Sequence, residues 1–187
     1  MKFFLMILCL FTLSQGQVIK KSGTILVNGN VLKKDGVIKQ GDTIEVKEKS
    51  VIRFNIGKDA FKARANTKFK LQTVGKTRVL NIINGSVMAV FGAGKHAIST
   101  PNMTVGIRGT GTFTQVRDGK TYFCTCYGHT SVDALNKITE LTATYHNMIW
   151  ITKTKVKQTM DMLGHRDMEL RELEAMVGRK VPFDHGK

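Results

Sequence analysis

From Val18 to Ile151 the chain alternates apolar and polar residues with a period of two, and turn-forming dipeptides break the alternation every few residues. That period places successive side chains on opposite faces of an extended strand and is incompatible with an amphipathic helix. Residues 42–47 (DTIEVK), 51–54 (VIRF) and 67–71 (TKFKL) show it cleanly. Asn28-Gly29 and Asn84-Gly85 each lie between two apolar runs, a strong hairpin signal because both residue types accept positive φ. Asp35-Gly36, Gln40-Gly41, Gly57-Lys58-Asp59, Gly75-Lys76 and Asp118-Gly119 add further turns. The pattern predicts an all-β fold: a compact β-sandwich or short β-solenoid of many short strands, with no strict repeat of fixed length.

The pattern changes after Trp150. Residues 152–164 read as polar and irregular, and RDMELRELEAMVGRKVPF follows. Leu170, Leu173, Met176 and Val177 recur at helical spacing, Asp167 is a good N-cap, and Gly178 and Pro182 are stop signals. One C-terminal α-helix over about 167–177 is expected, laid on the β-domain, with Glu169, Glu172 and Glu174 on its solvated face. The chain thus divides into residues 1–16, a β-domain over 17–151 and a tail over 152–187.

Residues 1–16 read as a signal peptide. One lysine precedes an apolar run from Phe3 to Leu13, and Ser14 and Gly16 are small residues suited to cleavage ahead of Gln17. The run is too short to span a bilayer, which takes about 20 apolar residues. No other segment is long enough, so no transmembrane segment is expected after signal cleavage. The formal charge of +15 suits encounter with anionic envelope surfaces. Much of it falls on outward strand positions, where lysines also guard sheet edges. The basic residues form no recognised nucleic-acid module, so a specific nucleic-acid partner is not expected. No Ser-His-Asp or paired-carboxylate arrangement can be placed, so an enzyme is not expected either.

Cleavage would leave Cys124 and Cys126, in TYFCTCYGH, as the only cysteines. On a regular strand both face one side, and Phe123, Thr125 and Tyr127 face the other. Their Cβ atoms would stand about 6.6–7 Å apart, against about 3.8 Å in a disulfide. Two thiolates on one tetrahedral metal need sulfurs only about 3.8 Å apart. A shared ion therefore suits this pair better than a mutual bond. Free buried thiols, a strained redox-active disulfide and a bridge to another chain are the other readings. His129, His146 and His165 are the candidate nitrogen ligands. His96, in a glycine-rich turn, and His185, near the end, read as solvated. The spacing excludes covalent haem attachment through C-x-x-C-H. Gly106, Gly109 and Gly111 do not form a dinucleotide fingerprint, because no helix follows them. They read as a bend or a close backbone approach, where Arg108 is expected to pair with a carboxylate or carbonyls.

Four stretches in order, VLKKDGVIKQGDTIEV, VIRFNIGKDAFKARANTKFKL, VLNIINGSVMAVF and ISTPNMTVGIRGTGTFTQV, resemble the FecR domain. The last matches its TP-x-x-x-V-G-x-R-G-T-x-F signature, and the resemblance covers roughly residues 20–133. It implies a β-rich module of the bacterial periplasm with a binding, signalling or scaffold role. In the regulator that names the family, such a domain relays iron-uptake signals to a sigma factor. On the signal-peptide reading, neither a cytoplasmic region nor a retained membrane helix is expected for that relay. An envelope protein or cell-envelope polymer is the expected partner. The tail, with CTCYG, His146 and His165-Arg166-Asp167 before ELRELEAMVGRKVPF, resembles an extension of some periplasmic FecR-like proteins. The resemblance implies a metal site of Cys124, Cys126, His146 and His165. Zinc would make it structural, whereas copper or haem would make it a redox or sensor site.

Overall fold

The computed structural model describes residues 15–184. The expected signal peptide lies almost wholly outside the described residues, as does His185. Fifteen strands and one helix are found among them: β1 (Gln15–Ser22), β2 (Ile25–Val27), β3 (Asn30–Val31), β4 (Ile38–Lys39), β5 (Thr43–Val46), β6 (Val51–Ile56), β7 (Asp59–Ala63) and β8 (Thr67–Val74), then β9 (Thr77–Val90), β10 (His96–Thr100), β11 (Met103–Arg117), β12 (Lys120–Ala134), β13 (Lys137–Ala143), β14 (Asn147–Ile151), β15 (Val156–Thr159) and α1 (Asp167–Met176). The fold is all-β with a single C-terminal helix, as the alternation and the tail pattern predict.

All strands join one hydrogen-bonded sheet. Its main path runs β15-β14-β12-β11-β10-β9-β7-β6-β1-β4, with β13 on β12 and a branch β9-β8-β5-β2-β3. Every pairing is antiparallel except β9 with β10. The sheet folds over, so that residues from unpaired strands meet in one apolar core. Phe54 of β6 stacks on Phe69 of β8 at 6.1 Å between ring centres, although the two strands are not neighbours in the sheet.

Three strands are much longer than the turn spacing suggests, and each changes partner partway. β9 pairs through residues 77–84 with β8, then through 85–90 with β11 and through 87–90 with β7. Asn84-Gly85 is therefore not a hairpin turn. It lies within β9 beside a bulge, where Gly85 takes φ 87° and a Cβ would meet Thr67 Cα at 2.4 Å. Tertiary crowding, not chain reversal, requires this glycine. β11 shows the bend expected of its glycines: Gly109 has φ 61°, and a Cβ on Gly111 would stand 2.4 Å from the Tyr127 ring. Arg108, expected to pair there, is exposed.

The other turn signals hold where both partners are local. Asn28-Gly29 and Asp118-Gly119 close tight hairpins with positive φ at both residues. The tail is less irregular than expected, because β15 pairs with β14 and extends the sheet. The helix ends at Met176 in a Schellman motif: Gly178 N–H donates to Ala175 O and Arg179 N–H to Glu174 O. Its N-cap is Arg166 rather than Asp167, whose carboxylate is engaged elsewhere.

α1 covers the outer face of β7 and β9. β7 is consequently buried on both sides, and even Lys62 is enclosed. Leu170 and Leu173 enter a second, smaller core with Ala60, Met88, Val90, Phe113, Tyr122, Val181 and the two cysteines. No described helix is long and apolar enough to cross a membrane.

Candidate metal centre

The second core contains a cluster of thiols and imidazoles drawn from three places. Cys124 and Cys126 come from β12, His146 from the turn between β13 and β14, and His165 from the loop entering α1. All four residues expected as ligands are brought together. One ligand atom from each lies within 4.8 Å of the others.

A bulge makes the sulfur pair possible. Gly111 pairs with Tyr127 and the next residue, Thr112, with Thr125, so Cys126 is the extra residue of β12. Bulges re-aim side chains in this way. The two sulfurs stand 3.6 Å apart, unbonded. The same bulge corrects the strict alternation: Tyr127, expected opposite the cysteines, packs in their core.

His146 is held at φ 38°, with its N–H donating to Cys126 O at 3.0 Å. A left-handed conformation at a non-glycine residue costs of order 1–3 kcal/mol, and the surrounding contacts hold it. His165 is placed by Gly164, whose φ of 73° and approach to the Phe113 ring exclude a side chain without strain. The Phe113 ring stacks on His165 at 4.6 Å. Tyr122 anchors the same loop: its hydroxyl donates to Asp161 O at 3.0 Å and accepts from Leu163 N–H at 3.2 Å.

Four of the six ligand-to-ligand distances match a tetrahedral shell, and the other two are within 4.8 Å. Metal–sulfur bonds of about 2.3 Å and metal–nitrogen bonds of about 2.0–2.1 Å imply S–S near 3.8 Å, S–N near 3.6 Å and N–N near 3.3 Å. The cluster has S–S 3.6 Å, Cys124 Sγ to His146 Nδ1 3.3 Å, Cys126 Sγ to His165 Nε2 3.7 Å and His165 Nε2 to His146 Nδ1 3.3 Å. Outer partners fix the rings in the matching tautomers. His146 Nε2 donates to Asp167 Oδ1 at 2.9 Å, and His165 Nδ1 donates to Leu163 O at 2.8 Å. Once its proton is given up to an incoming ion, each inner nitrogen would direct its lone pair at the cluster, an arrangement typical of metal-bound histidines. Tyr145 donates to the other Asp167 oxygen at 3.0 Å.

The electrostatics favour one thiolate before any ion binds. Burial opposes ionisation of Cys124, but hydrogen bonds from Cys126, His146 and His165 outweigh it and hold its pKa well below the ordinary thiol range. Cys126 goes the other way, raised by burial and by the neighbouring Cys124 charge. Burial lowers the basicity of His146, but Cys124 and Asp167 together raise it. A divalent ion supplies the charge that lets both sulfurs ionise. The four-ligand set is closed and lies in a packed core. Its interatomic distances leave no slot for a porphyrin, so haem does not fit.

The other two described histidines lie elsewhere. His129 is exposed and bonds Thr142 and Glu140 on the sheet surface. His96 is not solvated: its side chain is fully buried against Asp59, 3.1 Å away, which also binds Arg78 at 3.0 Å and Gly92 N–H at 2.8 Å. That group pins the crossover between β9 and β10, and no local motif announces it. Of the three α1 glutamates expected on a solvated face, only Glu172 is exposed. Glu169 bonds Lys62 and Arg64, Glu172 pairs with Arg53, and buried Glu174 accepts from Tyr127 and Arg179.

No family model matches the chain, and no curated protein matches it. Two crystal structures from Parabacteroides distasonis ATCC 8503, at 1.65 and 2.50 Å, are similar in fold; both are described as a "putative anti-sigma factor". Their TM-scores are 0.56 and 0.55, with 12% sequence identity in each case. Each alignment covers 63% of this chain, which spans 58% of the length of those proteins. At this identity the likeness is one of fold.

Proposed function

We propose that this chain is an exported, non-catalytic signalling or scaffold module of the FecR-like kind, acting in the bacterial periplasm. In this reading Cys124, Cys126, His146 and His165 bind one zinc ion, which fastens the C-terminal tail to the sheet. The observation that carries the metal assignment is the four-atom cluster with both imidazoles oriented from outside. Zinc accepts two thiolates and two imidazoles in a tetrahedron, and a closed set of four protein ligands leaves no position for a reacting water. The regulatory part rests on the ordered FecR-like stretches, ending in the TP-to-RGT signature, together with a fold similar to proteins described as anti-sigma factors. The partner is an envelope protein or a cell-envelope polymer.

The test is elemental analysis, paired with thiol titration, of protein purified from a periplasmic fraction. Stoichiometric zinc, with two thiols that react only after chelation, is expected. Metal-free folded protein with two freely titrating thiols, or with the pair oxidised, overturns the assignment. Copper in place of zinc would move the site to redox or sensing chemistry, since soft thiolates also select Cu(I). Appearance of the mature protein in the cytoplasm alone would remove the exported part of the reading.

A further inference from the structure

We infer that the cleft between the glycine-rich loop 92–94 and the chain leaving α1 binds a small ligand carrying a carboxylate or phosphate. The site lies apart from the metal cluster, and its assignment does not depend on which ion the cluster holds. Basic residues of two sequence runs meet here: Arg108 of β11, and Arg179 and Lys180 after the helix. The cleft measures about 570 Å³, within the roughly 300–1,000 Å³ usual for small-molecule sites.

Its charge is unbalanced. Arg108, Arg179 and Lys180 line it against one carboxylate, Glu174. Glu174 is buried and already engaged, accepting from the Tyr127 hydroxyl and from Arg179 Nε at 2.6 Å. Arg108 and Lys180 are exposed and remain available to a ligand. Arg179 is held rigidly: the Schellman turn fixes its backbone, and its Nη1 donates to Lys58 O at 2.9 Å. Its Nη2 is buried and has no partner among the described residues. A buried N–H₂ group without an acceptor is uncommon, but this one is closed off from solvent, so Arg179 contributes a fixed positive charge to the cleft rather than a direct bond.

The glycines keep the cleft open. A Cβ on Gly92 would fall 2.8 Å from Lys58 Cβ, which would have to move, and 3.3 Å from Arg179 Nη1, which would yield by a few tenths of an ångström. Around Gly109 a Cβ would meet nothing within 4 Å, so the floor beside Arg108 is free. Tyr127 and Pro182 supply apolar wall for the body of a ligand. A planar oxyanion can pair with the exposed Arg108 and Lys180 cations beside the fixed Arg179 charge, and charge-assisted bonds of this kind are the strong ones.

The test is a ¹H–¹⁵N titration of the full exported chain with inorganic phosphate and, separately, citrate, with ionic strength held constant by chloride. Saturating shifts confined to the amides of Gly92–Gly94, Gly109 and residues 179–181 are expected. Saturation by one probe only would assign the phosphoryl or the carboxylate class. R108E and K180E should each weaken binding about tenfold, or roughly 1.4 kcal/mol, with metal content unchanged. The inference is overturned if neither anion gives saturating shifts in the unaltered protein. It is also overturned if shifts scatter over the surface lysines and are the same in both variants. Loss of the metal assignment would leave these readouts intact.

Discussion

The two faces of the central strands are held by different physics. On one face the sheet folds over a large apolar core, in which Phe54, Phe69, Ile44, Ile52 and Ile82 are fully enclosed. On the other face the tail adds few aliphatic groups, chiefly Leu170, Leu173 and Val181. Fully burying such side chains contributes about 1.5–3 kcal/mol each, whereas ordering backbone costs about 1–2 kcal/mol per residue. The tail therefore depends on directed contacts: the thiol–imidazole cluster, Glu169 between Lys62 and Arg64, and Glu174 between Tyr127 and Arg179. The first face can lose any one contact in proportion to its area. The second is expected to fail as a unit when its cluster is broken.

Breaking that cluster is the strongest challenge to this contrast. C126S should lose the metal and raise amide exchange in residues 160–181 by more than about a thousandfold, with the strands of the main core still protected. A tail that stays protected would mean its apolar contacts suffice, and the two faces would be alike. The reciprocal experiment is F69A, which opens a cavity in the main core and should cost about 3–5 kcal/mol in urea unfolding. Metal content per folded chain should not change.

A smaller effect is expected from D167A, which removes the acceptor orienting His146. Metal affinity, measured by competition with a chelator, should fall about 10–100-fold, with the ligand set retained. No change would mean that the backbone at His146 alone fixes the ring.

The smallest effect is in pH. Burial works against the Glu169 carboxylate, but bonds from Lys62 and Arg64 outweigh it and lower its pKa below the ordinary value of 4.5. The folded form therefore binds this proton less readily than the unfolded form. The resulting stabilisation is present above pH 4.5 and is lost as pH falls through the lowered value. Tail protection in metal-loaded protein should decline over that acid range by about 1 kcal/mol more than in E169Q. Equal profiles for the two proteins would show that the ion pairs contribute nothing to docking.

How far the sequence could be read depended on the range of each interaction. Asn28-Gly29 and Asp118-Gly119 act between adjacent residues, and both form the hairpins their composition predicts. Asn84-Gly85 carries the same signal, but β9 runs through it because Gly85 must pass Thr67, eighteen residues earlier. The spacing of Cys124 and Cys126 suited a shared ion better than a mutual bond, and the resemblance of the tail pointed to His146 and His165, which the fold brings beside them. The bulge at Cys126 was not legible, because it depends on register against β11. Nor was the burial of Lys62, His96 and Glu174, each of which is enclosed by a distant part of the chain.

The sequence by itself determined the all-β class, the single terminal helix with its glycine stop, and the donor types available to a metal, since period and residue chemistry are local properties. The tertiary structure alone decided where long strands change partner, which glycines bend rather than reverse the chain, and how sulfurs two residues apart come within 3.6 Å. It also decided that Glu169 and Glu174 face the protein instead of water, while Glu172 stays exposed. These outcomes depend on which distant segments meet, and a period of two is the same whichever strand lies alongside.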